Sequence, residues 1–102
     1  MRTAEIYVNS VLAGKLIEHS IYDYEFTYLD IYTGNPVSLT MPVAKRTHKF
    51  TSFPAFFEGL LPEGLQLEAL LRDKKINRND YFGQLLICGA DCVGAVTVKG
   101  IL

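Results

Sequence analysis

Few side chains in this 102-residue sequence are of the types that enzymes use as nucleophiles or as general bases. Cys88 and Cys92 are four residues apart, and His19 and His48 are distant in sequence from both cysteines. A catalytic thiol requires a base and an orienting group, and a zinc site requires closely spaced ligand pairs. Because the spacing offers neither, we expect two buried thiols and two surface histidines.

Chemistry on phosphate groups has no better support in the sequence. No G-x-x-x-x-G-K-[ST] loop occurs, and Gly89 and Gly94 have the wrong spacing for a dinucleotide-binding turn. Glu58 and Glu63 could serve as an acid and a base, but each stands beside a glycine in loop-like sequence. The sequence therefore predicts a protein that is not an enzyme and that binds no cofactor or metal.

The composition is that of a single globular domain covering residues 1–102. The chain has 10 basic and 11 acidic residues, which gives a net charge of -1 and no long-range attraction for nucleic acid or anionic lipid. The basic cluster Lys45, Arg46, His48 and Lys49 is short and is expected on a solvent-facing strand or loop. No signal peptide or membrane-spanning apolar run is present, so we expect a cytoplasmic protein without nucleic-acid or membrane partners.

Hydrophobic residues alternate with period two in the first half of the chain, which is typical of half-buried strands. Strands are predicted over Ala4–Val8 and Val11–Glu18, joined by a tight turn at Asn9-Ser10. A third strand is predicted over Tyr22–Tyr28, and a fourth over Val37–Met41 after a Gly-Asn-Pro turn. Such short connections favour antiparallel neighbours.

Helical spacing replaces the alternation after Phe50. A short helix is predicted over Pro54–Leu60 with Ser52 as its cap, and a second helix over Leu65–Lys74. Glu68 and Arg72 are expected to form an ion pair across one turn of the second helix. Three leucines of the second helix form its apolar stripe, namely Leu67, Leu70 and Leu71.

A third helix and a closing strand complete the predicted fold. Asn79 or Asp80 is expected to cap the helix, and Gly89 is expected to end it in the left-handed conformation. The final strand is predicted over Cys92–Lys99, with Gly94 at a bulge or a close contact. The fold class is α+β, a small antiparallel sheet or partly open barrel capped by two to three short helices.

One segment, Ala55–Leu65, is rich in aromatic residues and leucine and is interrupted by two glycines and a proline. A turn at Pro62–Gly64 is expected to push Leu65 towards solvent, where an apolar side chain suits partner docking. The alternative is that Leu65 is the first residue of an amphipathic helix. The predicted partner-binding residues are Leu61, Pro62, Glu63, Gly64 and Leu65, and the next candidate is a face with Tyr22, Tyr24 and Tyr28.

The same segment resembles the HipA family of toxin kinases. Phe56–Gly64 contains the F-x-x-L-L-P-[DE] element of that family, and Pro36–Pro42 is similar to its P-L-S-x-S-[LM]-P element. Downstream, Asp80–Leu86 and Gly89–Val96 resemble two further elements, the second of them G-x-D-C-x-G-A. The sequence departs from the family at Leu65, where larger residues are common. The resemblance covers nearly the whole chain but only the first N-terminal subdomain of a HipA toxin.

The resemblance implies a serine/threonine kinase toxin as the partner. In three-gene toxin–antitoxin systems a separate short protein, HipS, carries this subdomain and acts as the antitoxin. The expected function is therefore to bind and inhibit a HipA-like kinase toxin that lacks this subdomain. The alternative is an N-terminal structural subdomain of a longer HipA kinase. The resemblance leaves open whether a helix-turn-helix HipB-like protein joins a ternary complex.

Overall fold

The computed structural model describes residues 1–91 and 94–101 as one open antiparallel sheet with three helices. The strands lie in the order β4-β3-β2-β1-β5, and all three helices lie between β4 and β5 in the chain. The α+β prediction is confirmed, and the sheet is open rather than a closed barrel. The elements are β1 (Arg2–Val8), β2 (Val11–Ser20), β3 (Asp23–Tyr28), β4 (Thr47–Phe50), α1 (Ala55–Glu58), α2 (Gly64–Lys74), α3 (Tyr81–Cys88) and β5 (Val96–Ile101).

The first hairpin forms at the predicted turn. Asn9 and Ser10 have positive φ angles of 50° and 68°, the combination that a two-residue turn needs to match the twist of its strands. Val8 pairs with Val11 across this turn. The hairpin is extended on one side by β3, which pairs with β2, and on the other by β5, which pairs with β1.

Alternate residues of the sheet point into one core together with residues of α1 and α3. This period-two burial is what the sequence alternation predicts. Phe26 contacts Tyr28 edge to face, with ring centroids 4.7 Å apart, and Phe57 of α1 packs on Phe26 at 6.2 Å. The fully buried core side chains are Ala4, Ile6, Ala13, Leu16, Phe26, Phe57, Phe82 and Leu85.

The predicted strand over Val37–Met41 is wrong, because these residues lie in an irregular loop. Val37 and Met41 are nonetheless buried, and the hydroxyl of Tyr28 accounts for their position. This hydroxyl accepts a hydrogen bond from the backbone N–H of Val37 at 2.9 Å and donates one to the backbone carbonyl of Met41. A buried tyrosine therefore satisfies backbone groups that a neighbouring strand would otherwise satisfy.

Part of the basic cluster is buried, contrary to the prediction that the cluster faces solvent. His48 is 7% exposed, and its Nε2 lies 3.1 Å from the carbonyl oxygen of Pro42. Arg46 donates hydrogen bonds to the carbonyl oxygens of Leu29 and Tyr32, at 3.0 and 2.8 Å. Both side chains hold the irregular loop against the sheet, and only Lys45 and Lys49 of the cluster are exposed.

Two predictions about helix ends also need correction. Ser52 does not cap α1, whose N-cap residue is Pro54 without a side-chain hydrogen bond. Gly89 is right-handed, with φ -64°, and is required for another reason: a Cβ there would lie 2.4 Å from Cβ of Val98. Gly94, by contrast, has a φ of 113°, which favours glycine.

The prediction of two buried thiols is only partly addressed by the structure. Cys88 is half-buried at the end of α3. Cys92 and Val93, which begin the predicted last strand, lie outside the described residues, and β5 starts at Val96. No helix in the described part of the chain is long and apolar enough to cross a membrane.

Tyr28→Phe is expected to lower the free energy of unfolding by about 2 kcal/mol, because a buried N–H and a buried carbonyl lose their partner. Urea unfolding followed by circular dichroism measures this change. Tyr22→Phe is the control, since Tyr22 is 75% exposed and its loss of a hydroxyl should leave the midpoint unchanged. Equal midpoints for both variants would contradict the role assigned to Tyr28.

Candidate partner-binding surface

The five predicted partner-binding residues run from the edge of the core into solvent. Leu61 is half-buried and packs against the core, and Pro62 is also half-buried. Glu63 and Gly64 are exposed, and the side chain of Leu65 is 87% exposed. The structure thus places a solvent-exposed leucine directly after a short, partly anchored segment.

Backbone geometry explains how Leu65 reaches solvent. Glu63 is extended, with φ -129° and ψ 165°, and it precedes α2 without a side-chain cap. Gly64 has a φ of 59°, and a Cβ at this position would meet nothing within 4 Å. The glycine is therefore needed for its backbone angle and not for space. Leu65 lies in the first turn of α2, so the alternative that it starts a helix agrees with its exposure.

Helix α2 is the most weakly packed of the longer elements. None of its residues is buried, and its leucine stripe is half-buried without belonging to the core cluster. The predicted pair between Glu68 and Arg72 does not form. Glu68 instead accepts a hydrogen bond of 2.6 Å from Arg78, and Nε of Arg72 lies 3.3 Å from Oδ1 of Asp73.

The tyrosine face that was the next candidate surface does not exist. Tyr24 and Tyr28 are 5% and 1% exposed, because they point into the core from β3. Only Tyr22 is exposed, in the turn between β2 and β3. Period-two alternation correctly placed Tyr24 and Tyr28 on one face, but it did not show which face of the sheet is covered, and Tyr22 lies before β3 begins.

A cleft of about 570 Å³ lies beside the linker between α2 and α3. At its base Arg2 donates hydrogen bonds to Asp80 at 2.8 and 3.1 Å and to Glu18 at 2.8 Å. Its guanidinium carbon also lies 5.2 Å from the centre of the Phe82 ring. Asp80 caps α3 as predicted, accepting a hydrogen bond from the backbone N–H of Gly83 at 3.0 Å. The carboxylate of Asp80 thus binds both the N-terminal end of α3 and Arg2 of β1.

The electrostatics of this cleft are those of a structural ion network. Hydrogen bonds from Arg2 hold the pKa of Asp80 below its usual range, and those to Asp80 and Glu18 raise the pKa of Arg2. Burial, followed by the charge of Glu18, raises the pKa of Tyr24 to about 12. Tyr24 donates to Glu18 at 3.2 Å, so the phenol stays protonated at neutral pH.

Neither the cleft nor any other described region has the features of a catalytic or metal centre. Every buried side-chain nitrogen or oxygen in the described part of the chain has a hydrogen-bond partner. The side chains that the structure describes include no cluster of three or more potential metal ligands. Sequence reasoning missed the Arg2–Asp80 contact, which joins residues 78 positions apart. No short sequence pattern predicts a contact between residues so far apart in the chain.

The fold and its polar network define a small α+β domain whose ionic groups serve structure. Residues 4–99 match the family model described as the HipA N-terminal domain, and the chain belongs to this family. The domain is a non-catalytic subdomain of HipA proteins. The resemblance seen in the sequence motifs is therefore confirmed.

Individual relatives agree with this assignment. The chain is 29% identical over 100 residues to an "uncharacterized protein" of Haemophilus influenzae, covering 97% of this chain and 92% of the relative. A solved structure titled "N-terminal domain of HipA toxin" superposes with a TM-score of 0.78 at 23% identity. That match covers the whole of this chain and 94% of the solved one, and it shows a shared fold.

Asp80→Asn is expected to lower the free energy of unfolding at pH 7 by about 1 kcal/mol, since asparagine keeps the cap but loses the ion pair with Arg2. The figure is small because both side chains are partly exposed, at 33% and 39%. Chemical unfolding from pH 7 to pH 2 measures the effect.

The pH profile separates the ion pair from the cap. The pKa of Asp80 is lowered in the folded state, so its contribution is present above the unfolded pKa, about 3.9, and is lost as the pH falls through the folded value. The variant should therefore lose less stability than the parent in acid. Parallel profiles for the two proteins would refute this account.

Proposed function

We propose that this chain is an antitoxin that binds and inhibits a cognate HipA-like serine/threonine kinase toxin lacking this domain. The observation that carries the proposal is an 87% exposed Leu65 on a HipA N-terminal domain. Burying a leucine side chain contributes about 1.5–3 kcal/mol. Because Leu65 remains in solvent in the free domain, a partner that buries it would gain this free energy.

The length of the Haemophilus relative supports a separate protein over a subdomain of a longer kinase. The chain spans 92% of the Haemophilus protein, so that protein contains little beyond this domain. A HipA N-terminal domain that occurs apart from a kinase core can act on a kinase only by association. This favours the antitoxin over the alternative of an N-terminal subdomain within a longer HipA kinase.

Inhibition in this proposal is by contact and requires no chemistry from the chain. The segment before Leu65 is stiffened by Pro62 and anchored by Leu61 against the core, which lowers the ordering cost on binding. Leu65 fills an apolar recess of the kinase, and Glu63 lies at the rim. The complex is cytoplasmic, and a helix-turn-helix HipB-like protein is a possible third component.

Co-expression with the kinase encoded by the adjacent reading frame tests the proposal. The chain should co-purify with the kinase, suppress its phosphotransferase activity in vitro and relieve its toxicity to growing cells. A kinase core encoded in the same frame directly after Leu102 would instead establish the alternative. A kinase that remains fully active with the chain in excess would refute inhibition.

Leu65→Asp is expected to weaken the complex by about 2 kcal/mol, or roughly 30-fold in Kd, which is the effect of losing a binding hot spot. Stability of the free chain should change little, because the side chain is exposed and an acidic residue is favourable in the first turn of a helix. Calorimetric titration of the kinase and thermal unfolding of the chain measure the two effects.

Leu39→Asp provides the matched control. Leu39 is 95% exposed but lies in the irregular loop before β4, away from α2 in the sequence. This variant should bind and inhibit like the parent. If both substitutions weaken the complex equally, the effect comes from added negative charge and not from Leu65.

A further inference from the structure

Helix α2 has a second face besides its half-buried leucine stripe, and this face is called outward here. Leu65, Ala69 and Arg72 occur at positions i, i+4 and i+7, which lie above one another on an α-helix. Leu65 is 87% exposed and the side chain of Arg72 is 77% exposed. Ala69, between these two, is half-buried. Leu67 and Leu70 lie on the opposite side of the helix and are also half-buried.

The three outward residues differ in a way that suits one kind of partner. Leu65 is apolar, Ala69 is small enough for another surface to approach the helix closely, and Arg72 is a planar cation. Seven residues of an α-helix rise by about 10 Å. The complementary surface would therefore hold an apolar recess and an anionic group about 10 Å apart.

The charge of this region agrees with an anionic counterpart. Four basic and two acidic residues lie between Gly64 and Arg78, whereas the rest of the chain has six basic and nine acidic ones. The basic residues are concentrated in and after the last turn of α2, and all of them are exposed. Among the described residues, the one ionic partner of Arg72 is its neighbour Asp73, at 3.3 Å, so the guanidinium can still bind a further carboxylate.

We infer that the kinase is contacted along the outward face of α2, by Leu65, Ala69 and Arg72 together, and that a carboxylate of the kinase pairs with Arg72. This inference rests on the proposed function. It moves the proposed contact from the segment Leu61–Leu65 to the outward face of α2. Leu61 and Pro62, which are half-buried, precede the helix in the chain. Ala69 and Arg72 extend the contact by two helical turns.

A second copy of the chain fits this face less well than a kinase does. In a two-fold dimer with parallel helices, Arg72 would meet Arg72 of the other copy. With antiparallel helices it would lie opposite Leu65, and in neither arrangement is the residue directly opposite the guanidinium acidic. A different protein with an acidic group at the matching distance meets both requirements.

Two charge reversals on the same helix test the inference. Arg72→Glu and Lys74→Glu make the same change in the last turn of α2, but Lys74 is two residues further on and projects from the opposite side of the helix. Arg72→Glu should weaken kinase binding by about tenfold or more, and Lys74→Glu by less than about threefold. Surface plasmon resonance at two salt concentrations measures both, and the Arg72→Glu complex should lose the salt dependence of its association rate.

Two further variants keep the test independent of helix stability. Arg72→Lys retains the charge and should recover part of the affinity. Ala69→Gln adds bulk on the outward face with a good helix-forming residue, and should weaken binding by about tenfold. Circular dichroism at 222 nm must show the same helix content in all variants.

The outcomes separate this inference from the proposed function. If the parent chain does not bind the kinase at all, the proposed function fails. If the parent binds but Arg72→Glu and Lys74→Glu have equal effects, the outward face is not the contact and the function stands. If light scattering shows that the free chain is a dimer that Arg72→Glu dissociates, the face belongs to a second copy and the inference is overturned.

Discussion

The guanidinium of Arg2 forms the contact on which the arrangement of the second half of the chain depends. It lies between Glu18 of β2 and Asp80 at the start of α3, with a hydrogen bond of 2.8 Å to each, so the sheet and the helical layer are fixed to each other. A bidentate arginine–carboxylate pair restricts direction as well as distance. Because Asp80 also caps α3, the end of the α2–α3 linker is held at this point.

This anchor explains how a weakly packed helix can still have a defined position. The linker before Asp80 is held a second time by Gln84, a buried side chain that donates to the carbonyl oxygen of Arg78 at 3.0 Å. At the other end, Leu61 packs against the core just before α2 begins. Helix α2 is thus supported at both ends rather than along its length. An isolated helix of 11 residues is marginal in water, so these two supports matter.

The sequence predicted the features whose cause is local. The Asn9-Ser10 hairpin and the Asp80 cap depend on residues next to each other, and the exposure of Leu65 follows from the glycine before it. Two of the errors arose where a distant group replaced a local one. Val37 and Met41 bond to Tyr28 instead of to a strand, and Gly89 makes room for Val98 instead of adopting a left-handed turn.

The order of the strands has a consequence for how the chain folds during synthesis. β1 lies between β2 and β5, so Thr3 pairs with Ile101 and the first strand remains an open edge until the last one has been synthesised. The meander of β1, β2 and β3 forms between strands that are close in sequence. The pairing of β5 with β1 is a long-range step that comes late. A nascent or truncated chain therefore exposes an unpaired β1, which is a template for association with other chains.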